Sequence, residues 1–184
     1  MRTLIVTEFI TLDGVVDSPG GGDHPHAGWT FKDVEPDEAA YDIKDREQKE
    51  AGSLLLGRVS YDEFAPVWPS MEQLAEYNAM PKYVVSSTLT DPTWHRTTVL
   101  RSLDEVAALK DGDGGPIYVH GSATLAQGLL AAGLVDRYHL LEFPLLLGSG
   151  KRLFASEADK TRLALVEHAT YGNGIRLAVY DVVR

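Results

Sequence analysis

Apolar and polar positions along the chain fall into short blocks separated by turn-forming residues. From Thr3 to Thr11 the residues are mostly β-branched or aromatic, and Asp13-Gly14 stops the run, which predicts a first strand. Val15 to Glu35 contains Pro19-Gly-Gly-Gly22, two histidines and Trp29, the composition of a long mobile loop of the kind that covers a site. Pro36 then opens a helical stretch, Asp37 to Ala51, with acids in its first turn and bases later, as the helix dipole favours.

Ser53-Leu-Leu-Leu-Gly57 reads as a buried strand and Arg58 to Phe64 as the helix leaving it. Lys82 to Ser86 and Thr98 to Leu100 are the next strands, and Ser102-Leu-Asp-Glu105 is a capping box that opens a helix to Lys110. Ile117 to His120 is a strand that runs through Gly121-Ser122 into the helix Ala123 to Ala132, with Gly133 at its C-cap. Asp136 to Phe143 is a strand, Pro144 to Gly150 an apolar loop, and Leu163 to Thr170 pairs with Ile175 to Val183 in a hairpin about Gly172-Asn-Gly174. The sum is about eight strands and about four helices. Early alternation followed by a late hairpin predicts a single-domain, three-layer α/β fold whose mixed, mostly parallel sheet ends in an antiparallel hairpin.

Composition narrows the functional classes. At 184 residues and 44% hydrophobic content, one domain spanning 1–184 is expected. A net charge of −10 makes nucleic acid and anionic membrane surfaces poor partners, so any phosphate must be held by a local cluster of amides and hydroxyls, with room for one Arg. The absence of Cys removes disulfides, thiolate catalysis and Cys-based zinc sites. The apolar opening is too short for a membrane span, is interrupted by Glu8, and lacks a cleavage signal, so cytoplasmic residence is expected.

In an open α/β sheet, ligands bind beyond the carboxyl ends of the strands, where helix N-termini offer free amides. Three junctions carry suitable residues: Gly57-Arg58 with Ser60 and Tyr61, then Ser86-Ser87-Thr88, then Gly121-Ser122 with Ala123 and Thr124. Glycine permits close approach of a phosphate to the backbone, hydroxyls donate hydrogen bonds, and Arg58 suits a phosphate monoester. Any one of these alone is an ordinary helix start; their conjunction and order carry the signal.

The order of these segments resembles the dihydrofolate reductase superfamily, and most closely its branch containing the riboflavin-biosynthesis reductase domain. The resemblance covers nearly the whole chain. It rests on Thr11-Leu-Asp-Gly14, Leu56-Gly-Arg-Val-Ser-Tyr61, Val85-Ser-Ser-Thr88, and Gly133-Leu-Val-Asp-Arg137 running on to Pro144-Leu-Leu-Leu-Gly-Ser-Gly-Lys-Arg-Leu-Phe154. It implies a reductase that binds NADPH, with the first two junctions around the adenosine phosphates, Arg58 and Ser87 at the 2′-phosphate, and Gly121-Ser122 under the pyrophosphate. Nicotinamide would lie near Leu12 to Val16. His120-Gly121-Ser122 stands where the family usually has consecutive glycines.

The implied reaction is hydride transfer to a C=N or C=O carbon of a planar nitrogen heterocycle, a ribosylaminopyrimidine of flavin biosynthesis or a pterin or dihydrofolate-like compound. Folate-reducing members place an acid on the first helix, which matches Asp42 here; Asp13 is a second acid candidate, although also a turn former. Thr7, Trp29 and Asp42 are the expected substrate contacts. A cofactor-binding accessory protein without efficient turnover is the alternative reading. His24 and His26 lack a further paired ligand, so no metal is expected. The apolar Leu145 to Leu147 strip is a candidate homodimer surface.

Overall fold

The computed structural model describes residues 1–184. In chain order its elements are β1 (Leu4–Thr11), α1 (Trp29–Lys32), α2 (Glu38–Glu50), β2 (Ser53–Gly57), α3 (Arg58–Phe64), α4 (Ala75–Ala79), β3 (Lys82–Val85) and β4 (Thr97–Leu100). There follow α5 (Leu103–Asp111), β5 (Ile117–His120), α6 (Ala123–Ala131), β6 (Arg137–Phe143), β7 (Arg162–Thr170) and β8 (Arg176–Val183). All strands join one sheet in the order β4-β3-β2-β5-β1-β6-β8-β7. Pairing is parallel from β4 through β6, and antiparallel where β8 meets β6 and β7. This is the mixed, helix-flanked sheet with a terminal hairpin that the alternation of elements predicts.

Burial follows from position. Parallel strands need crossovers that cover both faces, so β2, deep in the sheet, buries Ser53 to Leu56 in succession. The edge strand β7 is exposed along most of its length. On one face Leu4, Val6 and Ile10 of β1 pack with Leu125, Ala126 and Leu129 of α6. On the other, Ile5 joins Leu54, Leu56 and Tyr118.

The crossover through α2 carries the chain from β1 to β2, while that through α6 carries it from β5 to β6. Because β1 and β5 are neighbours, these crossovers depart in opposite directions, and a crevice opens between the two strands' carboxyl ends. Pairing of β1 with β5 stops at Thr7–His120, whereas pairing with β6 continues to Thr11–Phe143. Beyond Thr7, one side of β1 is therefore free to face a ligand.

Several local expectations are corrected. The loop after β1 is pinned rather than mobile: the Val16 amide donates to Lys151 O at 2.9 Å, and the wholly buried Trp29 sits edge-on to Phe143. It also contains the one-turn helix α1. A second unpredicted helix, α4, follows two 3-10 turns at Trp68–Ser70 and Glu72–Leu74. Only half of the capping box forms: Ser102 Oγ accepts from the Glu105 amide, while the Glu105 carboxylate reaches the Arg101 amide instead. The Leu145–Leu147 strip is not a continuous surface, because Leu145 and Leu147 pack inward and Leu146 alone is exposed. Gly133 closes α6 at φ 67° with its amide on Leu130 O, as expected.

The turn into β2 rests directly on the turn into β5. A Cβ added to Gly52 would stand 2.7 Å from the backbone N, Cα and C of Gly115, which no side-chain rotation relieves. Gly52→Ala is expected to destabilise the fold by about 1–3 kcal/mol, as overpacking does. The check is a lowered urea midpoint at unchanged slope.

Candidate functional site

Parallel register brings the three strand–helix junctions to one edge of the sheet. Gly57 pairs with Val85, so the Ser86 turn lies beside the start of α3. Arg58 spans the two: its Nη1 donates to Thr88 Oγ1 at 3.2 Å and its Nε to Asp62 Oδ2 at 2.7 Å. Arg101, just past β4, donates to Ser86 O at 2.7 Å, which sets a second guanidinium against the same turn.

The third junction locks onto the first through Ser122. A serine before a helix ordinarily caps it, but here Ser122 makes no cap bond. Its hydroxyl instead accepts from the Gly57 amide at 2.7 Å and donates to Ser60 Oγ at 2.7 Å. Ser122 is held at φ 67°, ψ 56°, directly after Gly121 at φ 62°, so serine here takes the left-handed conformation a second glycine would take. The first α6 backbone bond is from the Ala126 amide to Ser122 O, which leaves the preceding amides, at the positive end of a 9-residue helix, without a side-chain cap.

The first and third junctions line a cleft of about 1400 Å³, larger than the roughly 300–1000 Å³ that encloses one drug-sized ligand. Gly57, Arg58, Ser60, Gly121, Ser122, Ala123, Thr124 and Val16 are among its lining residues. So are Thr7, Asp42, Phe9, Tyr41, Phe31 and Lys44, with Tyr41 edge-on to Phe9 and Lys44 Nζ over the Phe9 ring. The glycines have no room for a side chain: a Cβ on Gly57 would stand 2.8 Å from Ser122 Oγ, and one on Gly121 2.9 Å from Ser60 Oγ.

Under α2 the floor is a row of polar side chains that register alone aligns. Thr7 pairs with His120 on β5 and with His139 on β6, so the three stand abreast on one face. Glu47 of α2, with 0% exposure, caps the row: Oε1 accepts from Thr7 Oγ1 at 2.7 Å and from His139 Nδ1 at 2.8 Å, and Oε2 from Lys44 Nζ at 3.1 Å. Lys44 also donates to Thr7. Burial opposes the Glu47 charge, but Lys44 and the His139 hydrogen bond outweigh it and hold its pKa down at about 2. His120 is driven the other way: burial, with Lys44 adding to it, pushes its pKa down to about 3, so the ring is neutral and faces Tyr77 Oη at 2.9 Å.

Other sequence candidates lie elsewhere. Trp29 is fully enclosed and donates its indole N–H to Asp17 O at 2.8 Å, so it anchors the loop instead of meeting a substrate. Tyr61 accepts from the Thr93 and Trp94 amides, with its ring in the core. Ser86 Oγ accepts from the Thr88 and Leu89 amides and closes its own turn; Ser87 and Leu12 are exposed outside the cleft. Asp13 is a staple. Burial would raise its pKa, but hydrogen bonds from Thr11 and the Gly148 and Leu147 amides prevail and keep it ionised, tying the turn to the loop after β6. Asp42 lies on the cleft rim but is solvent-exposed.

Glu8, in the sequence an interruption of an apolar run, is a further residue of the site. It is 3% exposed, lines the cleft, and Oε1 has no hydrogen-bond partner. Burial pushes its pKa up to about 8, against the pull of Lys44 and with the help of Glu47.

Comparison with known proteins agrees with this geometry. The RibD C-terminal domain pattern matches residues 2–177. Over 97% of the chain and 94% of the relative, the sequence is 28% identical to the uncharacterized protein YyaP of Bacillus subtilis (strain 168). It is 24% identical to YwjB of the same organism over 68% of the chain and 71% of that protein. Among solved structures, a putative riboflavin biosynthesis protein from Shewanella sp. PV-4 superposes with a TM-score of 0.77 at 19% identity, covering 99% of each chain. A dihydrofolate reductase from Enterococcus faecalis, complexed with NADP(H) and RAB-propyl, superposes with a TM-score of 0.60 at 16% identity, covering 99% of this chain and 97% of that one. The fold is thus that of dihydrofolate reductase, and no helix is long and apolar enough to cross a membrane. With the pattern spanning nearly every element described above, the chain belongs to the RibD C-terminal domain family.

Proposed function

We propose that this protein is an NADPH-dependent reductase that passes hydride to an electrophilic C=N or C=O carbon of a planar nitrogen heterocycle. The class is a ribosylaminopyrimidine or a pterin-like compound. The observation that carries the reading is the Gly57–Ser122–Ser60 interlock, which ties two strand ends together while leaving the α6 amides open to the cleft. Oriented amides without a cap suit an anionic pyrophosphate in a chain that is otherwise strongly acidic. Gly57 and Gly121 serve the same interlock, since a Cβ on the first would meet Ser122 and one on the second Ser60. Arg58, with Arg101 across the same turn, would hold the 2′-phosphate. The volume left toward Phe9, Tyr41 and Phe31 has flat aromatic walls for a heterocycle. The bound cofactor supplies the hydride; the chain supplies orientation and exclusion of water.

Titration of NADPH and NADH by fluorescence tests the cofactor assignment. Arg58→Ala is expected to weaken NADPH binding about 10–100-fold and NADH binding by less than about threefold, the worth of a charge-assisted phosphate contact. Equal losses for both cofactors would remove the 2′-phosphate role, and no binding of either by the native protein would remove the reductase reading itself. NADPH oxidation across dihydrofolate, a ribosylaminopyrimidine and small carbonyl compounds tests the reaction. Tight binding with no turnover favours an accessory protein that retains the fold.

A further inference from the structure

We propose that Glu8, buried where β1 parts from β5, is the general acid of the reductive step. This rests on the reductase reading above. Three observations place it there. Pairing with β5 ends one residue earlier, at Thr7–His120, so Glu8 stands at the mouth of the crevice. It shares its face of β1 with Val6 and Ile10, and its partner across on β6 is Leu140, all buried and apolar. Its Oε1 is buried without any hydrogen-bond partner although the residue borders the cleft, the state expected of a group whose partner is a ligand.

The surroundings keep the acid loaded. The charged groups acting on it are Lys44 and Glu47 of α2, which oppose each other. His120, at the end of β5, is neutral, and α6 presents Ala123 and Thr124 to the cleft. No cation pairs with the carboxyl, so burial decides and the proton stays on. Asp42 on the rim is solvent-exposed and lacks this apolar enclosure.

In the step, hydride from the reduced nicotinamide forms the new C–H bond and the π pair of the C=N or C=O group moves onto the heteroatom. The Glu8 O–H bond breaks as the heteroatom–H bond forms. The substrate gains two electrons and two hydrogens, the nicotinamide is oxidised, and the glutamate left behind regains its proton from solvent. A neutral acid at this point selects substrates whose reduction builds charge on a heteroatom, hence C=N and C=O compounds over isolated C=C bonds.

Glu8→Gln separates this from a structural role, because the amide keeps the shape and a hydrogen-bond donor but has no proton to give. First, an infrared difference between the unliganded native protein and Glu8→Gln, followed with pH, is expected to show a carboxylic acid C=O band at pH 7 that titrates away near pH 8. Second, NADPH affinity by fluorescence is expected to change less than about threefold, while kcat for the acceptor turned over in the panel falls about 10²-fold or more, the usual contribution of a general acid. The alkaline limb of the native pH–rate profile should vanish in the variant. A band absent at pH 7, a variant that turns over like the native protein, or a native protein that binds NADPH tightly yet reduces no acceptor, each overturns the proposal. A native protein that does not bind NADPH overturns the reductase reading and, with it, the acid's role, although the band still reports whether Glu8 is neutral.

Discussion

Glu47→Ala is expected to destabilise the protein by about 3–5 kcal/mol, the usual result of removing one partner from a buried charged pair. Glu47 is fully buried and receives hydrogen bonds from Thr7, His139 and Lys44, so truncation leaves three donors facing a dry void. The same residue governs the acid limb of stability. Its folded pKa, about 2, lies below the ordinary 4.5, so its contribution is complete above pH 4.5 and disappears as pH falls toward 2. That interval corresponds to roughly 3 kcal/mol, in line with the expected cost of the deletion. Urea midpoints between pH 3 and 7 check both statements: Glu47→Gln should flatten the part of the acid limb below pH 4.5. Native and variant curves that run parallel there would show that the carboxylate is not held by its neighbours.

Why the sheet was legible in the sequence and the floor of the cleft was not is a matter of range. Strands such as Ser53–Gly57 and Ile117–His120 announce themselves through β-branched and leucine runs stopped by glycine, which are properties of adjacent residues. Gly133 is readable for the same reason, since a helix end needs a left-handed residue there. Ser122 shows the opposite case. Its place before α6 is that of a cap, but its hydroxyl answers to Gly57, 65 residues away, and nothing near it in sequence says so. The Thr7–His120–His139 row needs β1 to lie between β5 and β6, an adjacency that propensity does not contain. Trp29, an expected substrate contact, sits among glycines and histidines that say nothing of burial; the core under the loop, where it meets Phe143, is what claims it. Glu8 stands out as a charge in an apolar strand, and a carboxylate at a strand position facing apolar neighbours must be paired, be protonated, or await a ligand.

Glu8→Gln is expected to raise stability by roughly 3–5 kcal/mol at pH 9 while leaving it nearly unchanged at pH 4. The sign follows from proton counts. The unfolded chain releases this proton near pH 4.5, the folded one holds it to about 8, so between these values the folded state binds more protons and stability declines as pH rises. The full interval corresponds to roughly 5 kcal/mol, less whatever the buried amide costs in the variant. His120 slopes the other way: its folded pKa of about 3 lies below the ordinary 6.5, so stability declines as pH falls between those values. From pH 4.5 to 6.5 the two slopes cancel. The native protein should therefore show a stability plateau across that range, an alkaline decline that belongs to Glu8, and an acid decline that belongs to His120 and Glu47. Denaturant midpoints at pH 4, 6 and 9 decide it. If the native protein and Glu8→Gln lose stability equally between pH 6 and 9, Glu8 is not a neutral acid in the folded chain. A residue kept at such a cost to the fold at neutral pH is one whose proton has work elsewhere, and the open end of β1 is where a substrate heteroatom would meet it.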